Sequence, residues 1–238
     1  MTVYSWPQSL RGVVESRFYL RAANLSSTSP YTGQRSAYGP TTQIWVAELT
    51  FPTMQKNDWR SLSGFVSRLD GISGLLRMPD AFRLKPMFNE ENAANITGFS
   101  DDTMFSDGMG FSEGLVPAFC AVAEAATVGA DSIVLEGLPV STSNILRSGD
   151  LIEALPNGQQ TAFGNLYEVV GQANSDADGK TRVYIRPRLR QSFAIGDQIK
   201  TIDATSVFRL ASDQEGIMSR TMPDHGRLGL TLVEKLPQ

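Results

Sequence analysis

His225 is the only histidine in the chain and Cys120 the only cysteine. A Ser-His-Asp triad would have to use His225 itself, and no G-x-S-x-G elbow supplies a nucleophile for it. Its setting, Pro223-Asp224-His225-Gly226, reads as a turn. A metal site built on several histidines is excluded. Cys120 stands in the apolar run from Val116 to Val122 and reads as a buried structural thiol. A single cysteine forms no disulfide within the chain. Asp176-Ala177-Asp178-Gly179 has the look of a calcium loop. A full loop needs more oxygen ligands and a closing Glu, whereas Lys180 and Arg182 follow here. A hairpin turn accounts for Asp178-Gly179, because Gly accepts positive φ. Asp176 and Asp178 are therefore the weak metal candidates. Glu90-Glu91 and Asp101-Asp102 read as solvated loop acids, and no phosphate-cradling glycine motif occurs. The chain is expected to be neither an enzyme nor a cofactor protein.

Arg182, Arg186, Arg188 and Arg190 form a basic row. In one continuous strand all four share a face, although Pro187 interrupts the run. Charge and proline together protect an exposed sheet edge. The same row could also be a positive stripe for an acidic partner or a nucleic acid channel. These four arginines are the interface candidates.

The elements that must position these residues read as mainly β. Apolar residues make up 41% and charged residues 19%, as in a globular chain with a real core. A net charge of −4 argues against nucleic acid binding as the main function. No segment reaches the roughly 18 apolar residues that span a bilayer, and Met1 to Leu10 lacks the pattern of a secretory signal. The chain is expected to be made in a cytoplasm, with no membrane insertion.

From Ser141 to Thr201 short apolar runs alternate with turns at Ser148-Gly149-Asp150, Pro156-Asn157-Gly158, Asp176 to Gly179 and Ile195-Gly196-Asp197. That spacing predicts a small β-barrel or β-sandwich. Further strands are expected at 11–21, 43–51, 81–87, 207–210 and 227–234, while 116–126 is strand or short helix. Trp59, Leu62, Phe65, Val66 and Leu69 share one helical face, predicting a packed helix over about 57–70 with Asn57 or Asp58 as N-cap and Gly71 as stop. Two long polar connections, 24–42 and 88–114, read as contact loops. The C-terminal strand is expected to pair with 11–21 or 43–51. Residues 1–115 with 204–238 then form a β-sandwich domain with one helix, and 116–203 an inserted small β-domain.

The chain resembles the distal tail proteins of long-tailed bacteriophages (siphoviruses). The likeness is carried by Tyr4-Ser5-Trp6-Pro7 with Leu10-Arg11, the Trp45 strand, and the Trp59 to Leu69 helix closing in Asp70-Gly71. It continues through Ser148-Gly149-Asp150, Asp176 to Gly179, Arg186-Pro187-Arg188-Leu189-Arg190, Gly196-Asp197 and Phe208-Arg209-Leu210, to the Leu-rich strand ending at Glu234. The resemblance implies a structural virion protein at the tail tip, assembled in the bacterial host as a ring, usually a hexamer. The ring joins the tail tube protein to the baseplate hub protein and the tail fibres, and DNA passes through its channel. It brings no catalytic residues. The long C-terminal carbohydrate-binding domain of larger members is not expected here. The alternative is a glycan- or calcium-dependent host-binding module.

Overall fold

The computed structural model describes residues 2–7, 12–22, 25–39, 43–54, 56–92, 115–217, 219–221 and 225–237. In chain order the elements are β1 (Val3–Ser5), β2 (Glu15–Ala22), β3 (Leu25–Thr28), β4 (Arg35–Tyr38), β5 (Gln43–Thr50), α1 (Lys56–Arg68), β6 (Leu75–Pro79) and α2 (Met87–Glu91). There follow β7 (Phe119–Val122), β8 (Ser132–Glu136), β9 (Leu151–Leu155), β10 (Leu166–Val169), β11 (Thr181–Arg186) and β12 (Gln198–Lys200). The chain closes with β13 (Thr205–Leu210), β14 (Ser219–Thr221), β15 (His225–Arg227) and β16 (Gly229–Glu234). The protein is mainly β, with one long helix and a closed six-stranded barrel. It divides into two compact units. The first comprises Met1–Phe82, Ala162–Gly164 and Thr205–Gln238, the second Arg83–Thr161 and Asn165–Ala204.

The first unit is built on a six-stranded sheet in the order β1-β6-β13-β16-β5-β2. Only the β1–β6 pair is parallel. The C-terminal strand β16 pairs with β5, and β5 pairs with β2 over all eight residues of each. Register puts Phe18, Trp45, Leu232 and Phe208 on one face, where Phe18 packs 5.1 Å from Trp45 and 5.6 Å from Phe208. Helix α1 covers that face. Its Trp59, Leu62 and Val66 are buried at helical spacing, and each side chain so buried contributes roughly 2 kcal/mol. Asp58 in the first turn and Arg68 in the last suit the helix dipole. Asn57 and Asp58 lie inside α1, so the helix starts ahead of the expected caps. It stops where Asp70 (φ 52°) and Gly71 (φ 64°) turn left-handed. The Asp213 carboxylate holds this corner by accepting the Ile72 N–H at 2.9 Å.

One carboxylate sits inside this sheet. Glu234 is 2% exposed. It accepts the Ser206 hydroxyl at 2.5 Å and the Trp45 backbone N–H at 3.0 Å. Gly164 lies against it, and a Cβ there would overlap both Glu234 Oε1 and Ser206 Oγ. The Gly164 N–H in turn bonds the Lys235 carbonyl at 2.8 Å. All three tryptophans of the chain, Trp6, Trp45 and Trp59, belong to this unit.

Two expectations are corrected here. Residues 24–42 are not one long loop, because β3 and β4 pair as a hairpin within them. The strand expected at 81–87 is absent. The strand is β6, at Leu75–Pro79, and the chain then turns where the Asp80 carboxylate accepts the Phe82 N–H at 3.1 Å. Pro86 opens the short helix α2, as a residue with no N–H to satisfy and a fixed φ can. The rest of the second expected loop, 93–114, lies outside the described residues.

The second unit is the barrel, in the closed order β10-β11-β8-β7-β12-β9. Within residues 116–126, readable as strand or helix, Phe119–Val122 form strand β7. Alternate residues point inward: Cys120 and Val122, Ile133 and Leu135, Ile152 and Ala154, Tyr167 and Val169, Val183 and Ile185, and Ile199. The unit begins at Arg83, and its first segment is pinned down by polar bonds. The buried Asn89 side chain bonds both the N–H (2.8 Å) and the carbonyl (2.9 Å) of Val116. Arg83 Nη1 reaches the Gly149 carbonyl and Glu168, each at 3.1 Å. The Asp203 N–H bonds the Leu84 carbonyl at 2.6 Å, so the two ends of the unit meet.

Two barrel corners repeat one device. At each, a Gly with positive φ (Gly149, 98°; Gly196, 88°) precedes a buried Asp, and a strand follows. Asp150 accepts the N–H of Arg147 (2.8 Å) and of Met87 (2.9 Å). Asp197 accepts the N–H of Ala194 (2.8 Å) and of Asn157 (2.8 Å). In both cases one oxygen closes the corner three residues back and the other ties in a remote segment.

Candidate interaction surface

The arginine row lies on the outside of the barrel. Along β11 Thr181, Val183 and Ile185 are buried while Arg182 and Tyr184 are exposed and Arg186 half-exposed. Pro187 ends the strand, yet the in-out alternation runs on, with Pro187 and Leu189 buried, Arg188 exposed and Arg190 half-buried. Arg182, Arg186 and Arg188 thus face outward while the Nε of half-buried Arg190 is enclosed, and only Arg182 and Arg186 are strand residues. Acids break the stripe. Arg182 stands 3.4 Å from Glu124, Lys180 3.8 Å from Glu136, and Glu168 is the cross-strand neighbour of Arg186. Exposed pairs of this kind add little stability, but they weaken the positive field around Lys180 and Arg182. Arg186 also donates to the carbonyl of Ile185 at 3.0 Å, and the Arg190 backbone N–H donates to the Tyr167 hydroxyl at 3.2 Å.

Aromatic surface accompanies the charges. Tyr184 is 56% exposed and Phe119 51% exposed. Phe119 borders a shallow open cleft of about 500 Å³ whose other lining groups include Glu136, Asp178 and Gln198.

Asp176 and Asp178 do not come together as metal ligands. Asp176 Oδ1 accepts the N–H of Asp178 (2.9 Å) and of Lys180 (2.7 Å), and Gly179 takes φ 72°. The carboxylate is spent on closing the turn. Among the described residues no three His, Cys, Asp or Glu side chains are grouped to hold a metal ion. Cys120 is 5% exposed inside the barrel, and burial pushes its thiol up to about 12; a thiol so protonated is a poor nucleophile. His225 falls in β15, paired with Thr221. Glu91 lies on α2 and binds Arg147 at 2.7 Å, which holds its carboxyl below the usual range. Asp101-Asp102 and Pro223-Asp224 lie outside the described residues.

No protein-family model matches this chain, and no curated protein matches it. Its surfaces therefore have to speak for themselves. Sequence reasoning found the arginine row but missed Tyr184 and Phe119 as surface groups. The alternation of β11 carried the signal for Tyr184, since it shares the parity of Arg182. The same reasoning treated Asp150 and Asp197 as turn residues and missed their carboxylate roles, because Met87 and Asn157 are remote in sequence.

Proposed function

We propose that this chain is a structural subunit of the tail-tip ring of a long-tailed bacteriophage, a distal tail protein that joins the tail tube to the baseplate hub. The observation that carries the reading is the architecture. A helix-backed sheet unit has a separately closed barrel spliced between β6 and β13, and the titratable groups described above serve turns, corners and ion pairs. A scaffold of this type offers one unit for assembly and a second for display. The segments 24–42, with its β3–β4 hairpin, and 88–114 are its proposed contact segments. Solution mass measured together with electron microscopy tests the reading. A closed ring, on its own or beside the tube protein, is expected; a strictly monomeric particle in both settings overturns it.

The barrel cleft favours a second reading, a host-binding module for glycans. An exposed aromatic ring (Phe119) beside carboxylate and amide groups (Glu136, Asp178, Gln198) suits a sugar's apolar face and hydroxyls. Glycan-array binding that Phe119→Ala abolishes is the expected outcome under this reading; a blank array removes it.

A further inference from the structure

The strand β2 is an open edge with an uncommon composition. Strand order in the sheet ends with it, and among the described residues nothing pairs with its outer side. The opposite edge strand, β1, has three residues; β2 has eight, ESRFYLRA, in unbroken register with β5. Exposed edges are ordinarily blunted by shortness, proline, a bulge or charge; of these β2 has only the charges of Glu15, Arg17 and Arg21.

Its side chains alternate cleanly. Ser16, Phe18 and Leu20 are half-buried on the core face, while Glu15, Arg17, Tyr19 and Arg21 are exposed on the other. Glu48 on β5 supports the exposed row, accepting the Tyr19 hydroxyl at 2.9 Å with Arg17 3.8 Å away. Arg21 has no ion-pair partner among the described residues.

We propose that β2 takes the β2 strand of a second copy of this chain, antiparallel, with Phe18 opposite Phe18. In that register Glu15 stands opposite Arg21 of the second copy and Arg17 opposite its Tyr19, and the two-fold repeats both pairs. Opposite charges meet, and a guanidinium meets an aromatic ring; both are favourable directly across a pair of strands. On the core face Phe18 meets its own copy between Ser16 and Leu20. Neighbouring registers fail. A shift by two residues one way sets Arg17 against Arg17, and the other way sets Arg17 against Arg21, like charges that repel. A shift by one turns the Phe18 face toward the polar row. The contact is isologous, so it closes at two copies, doubles the sheet and leaves this edge unavailable for fibre growth. It stands apart from the ring reading, since a ring needs a heterologous contact between two different patches.

Disulfide trapping on the full chain tests the register. Arg17→Cys and Tyr19→Cys are purified separately and mixed under mild oxidation. Cys120 is buried and does not compete. The mixture is expected to give cross-linked dimer at least tenfold faster than either variant alone, because only the 17–19 pairing brings the two Cβ atoms within disulfide reach. Equal rates in the three samples, or faster linking of Arg17→Cys with itself, overturn the proposal. Charge reversal is the second measurement. Arg21→Glu is expected to weaken self-association at least tenfold, and Glu15→Arg together with Arg21→Glu to restore it, with circular dichroism unchanged throughout. Failure of the double variant to restore association, or a monomeric parent chain at high concentration, also overturns it. A ring without this cross-link, or the cross-link without a ring, separates the two readings.

Discussion

Replacing Glu234 with alanine is expected to lower the stability of the sheet unit by about 4 kcal/mol, since two buried donors lose their acceptor and a cavity opens. The donors are the Ser206 hydroxyl and the Trp45 N–H, one on the neighbouring strand β13 and one on β5. Glu234→Gln keeps the volume and one acceptor oxygen, so a loss of about 2 kcal/mol is expected. Gly164→Val attacks the same place from outside by driving a side chain into the carboxylate and the hydroxyl, at a cost of about 3 kcal/mol. Denaturant titration followed by tryptophan emission checks all three, because every tryptophan lies in this unit. If the emission midpoint for Glu234→Ala stays at that of the parent chain, the carboxylate does not hold these strands.

Asp197→Ala is expected to cost the barrel about 3 kcal/mol, because the N–H groups of Asn157 and Ala194 lose a charged acceptor. Asp150→Ala should cost a similar amount through Met87 and Arg147. Far-ultraviolet circular dichroism reads the barrel transition, and the tryptophan signal should move less than it does for the Glu234 variants. Asp150 adds a pH signature. Burial is the leading cause that holds its carboxyl above the ordinary value. The folded chain therefore binds this proton more readily than the unfolded chain. The resulting stability is present below the ordinary aspartate range and is lost as pH rises through the raised value. Asp150→Asn should flatten that part of the pH–stability curve. An unchanged slope in acid would assign the pH dependence to other groups.

Local pattern was legible wherever period and burial agree. Trp59, Leu62 and Val66 announced α1, and Val183 and Ile185 announced β11, because each run packs one face and exposes the other. The strand β6 was not legible. Leu75-Leu76-Arg77-Met78-Pro79 is short and nearly buried on both faces, so it shows no alternation, whereas the neighbouring Ala81 to Met87 mimics a strand but turns at Asp80 and coils after Pro86. The three residues of β1 are ordered through a parallel pairing with β6 that no local signal encodes. Barrel closure was equally hidden, because β12 must slot between β7 and β9. Of the interaction surface, the arginines could be read directly, but not the Glu124, Glu136 and Glu168 that stand beside them.

Thr205 stands directly across from Pro79 where β13 begins and β6 ends. To the sheet, everything from residue 80 to residue 204 is therefore the turn of a single hairpin. The bond between Asp203 and Leu84 returns the chain almost to where it left, so an insert of any size that brings its two ends side by side would leave the strand register untouched. The barrel is thus interchangeable cargo on a constant frame, with one condition. Ala162–Gly164 is counted with the frame, and a replacement must supply a residue as small as Gly164 beside Glu234, or leave that carboxylate a gap to fill.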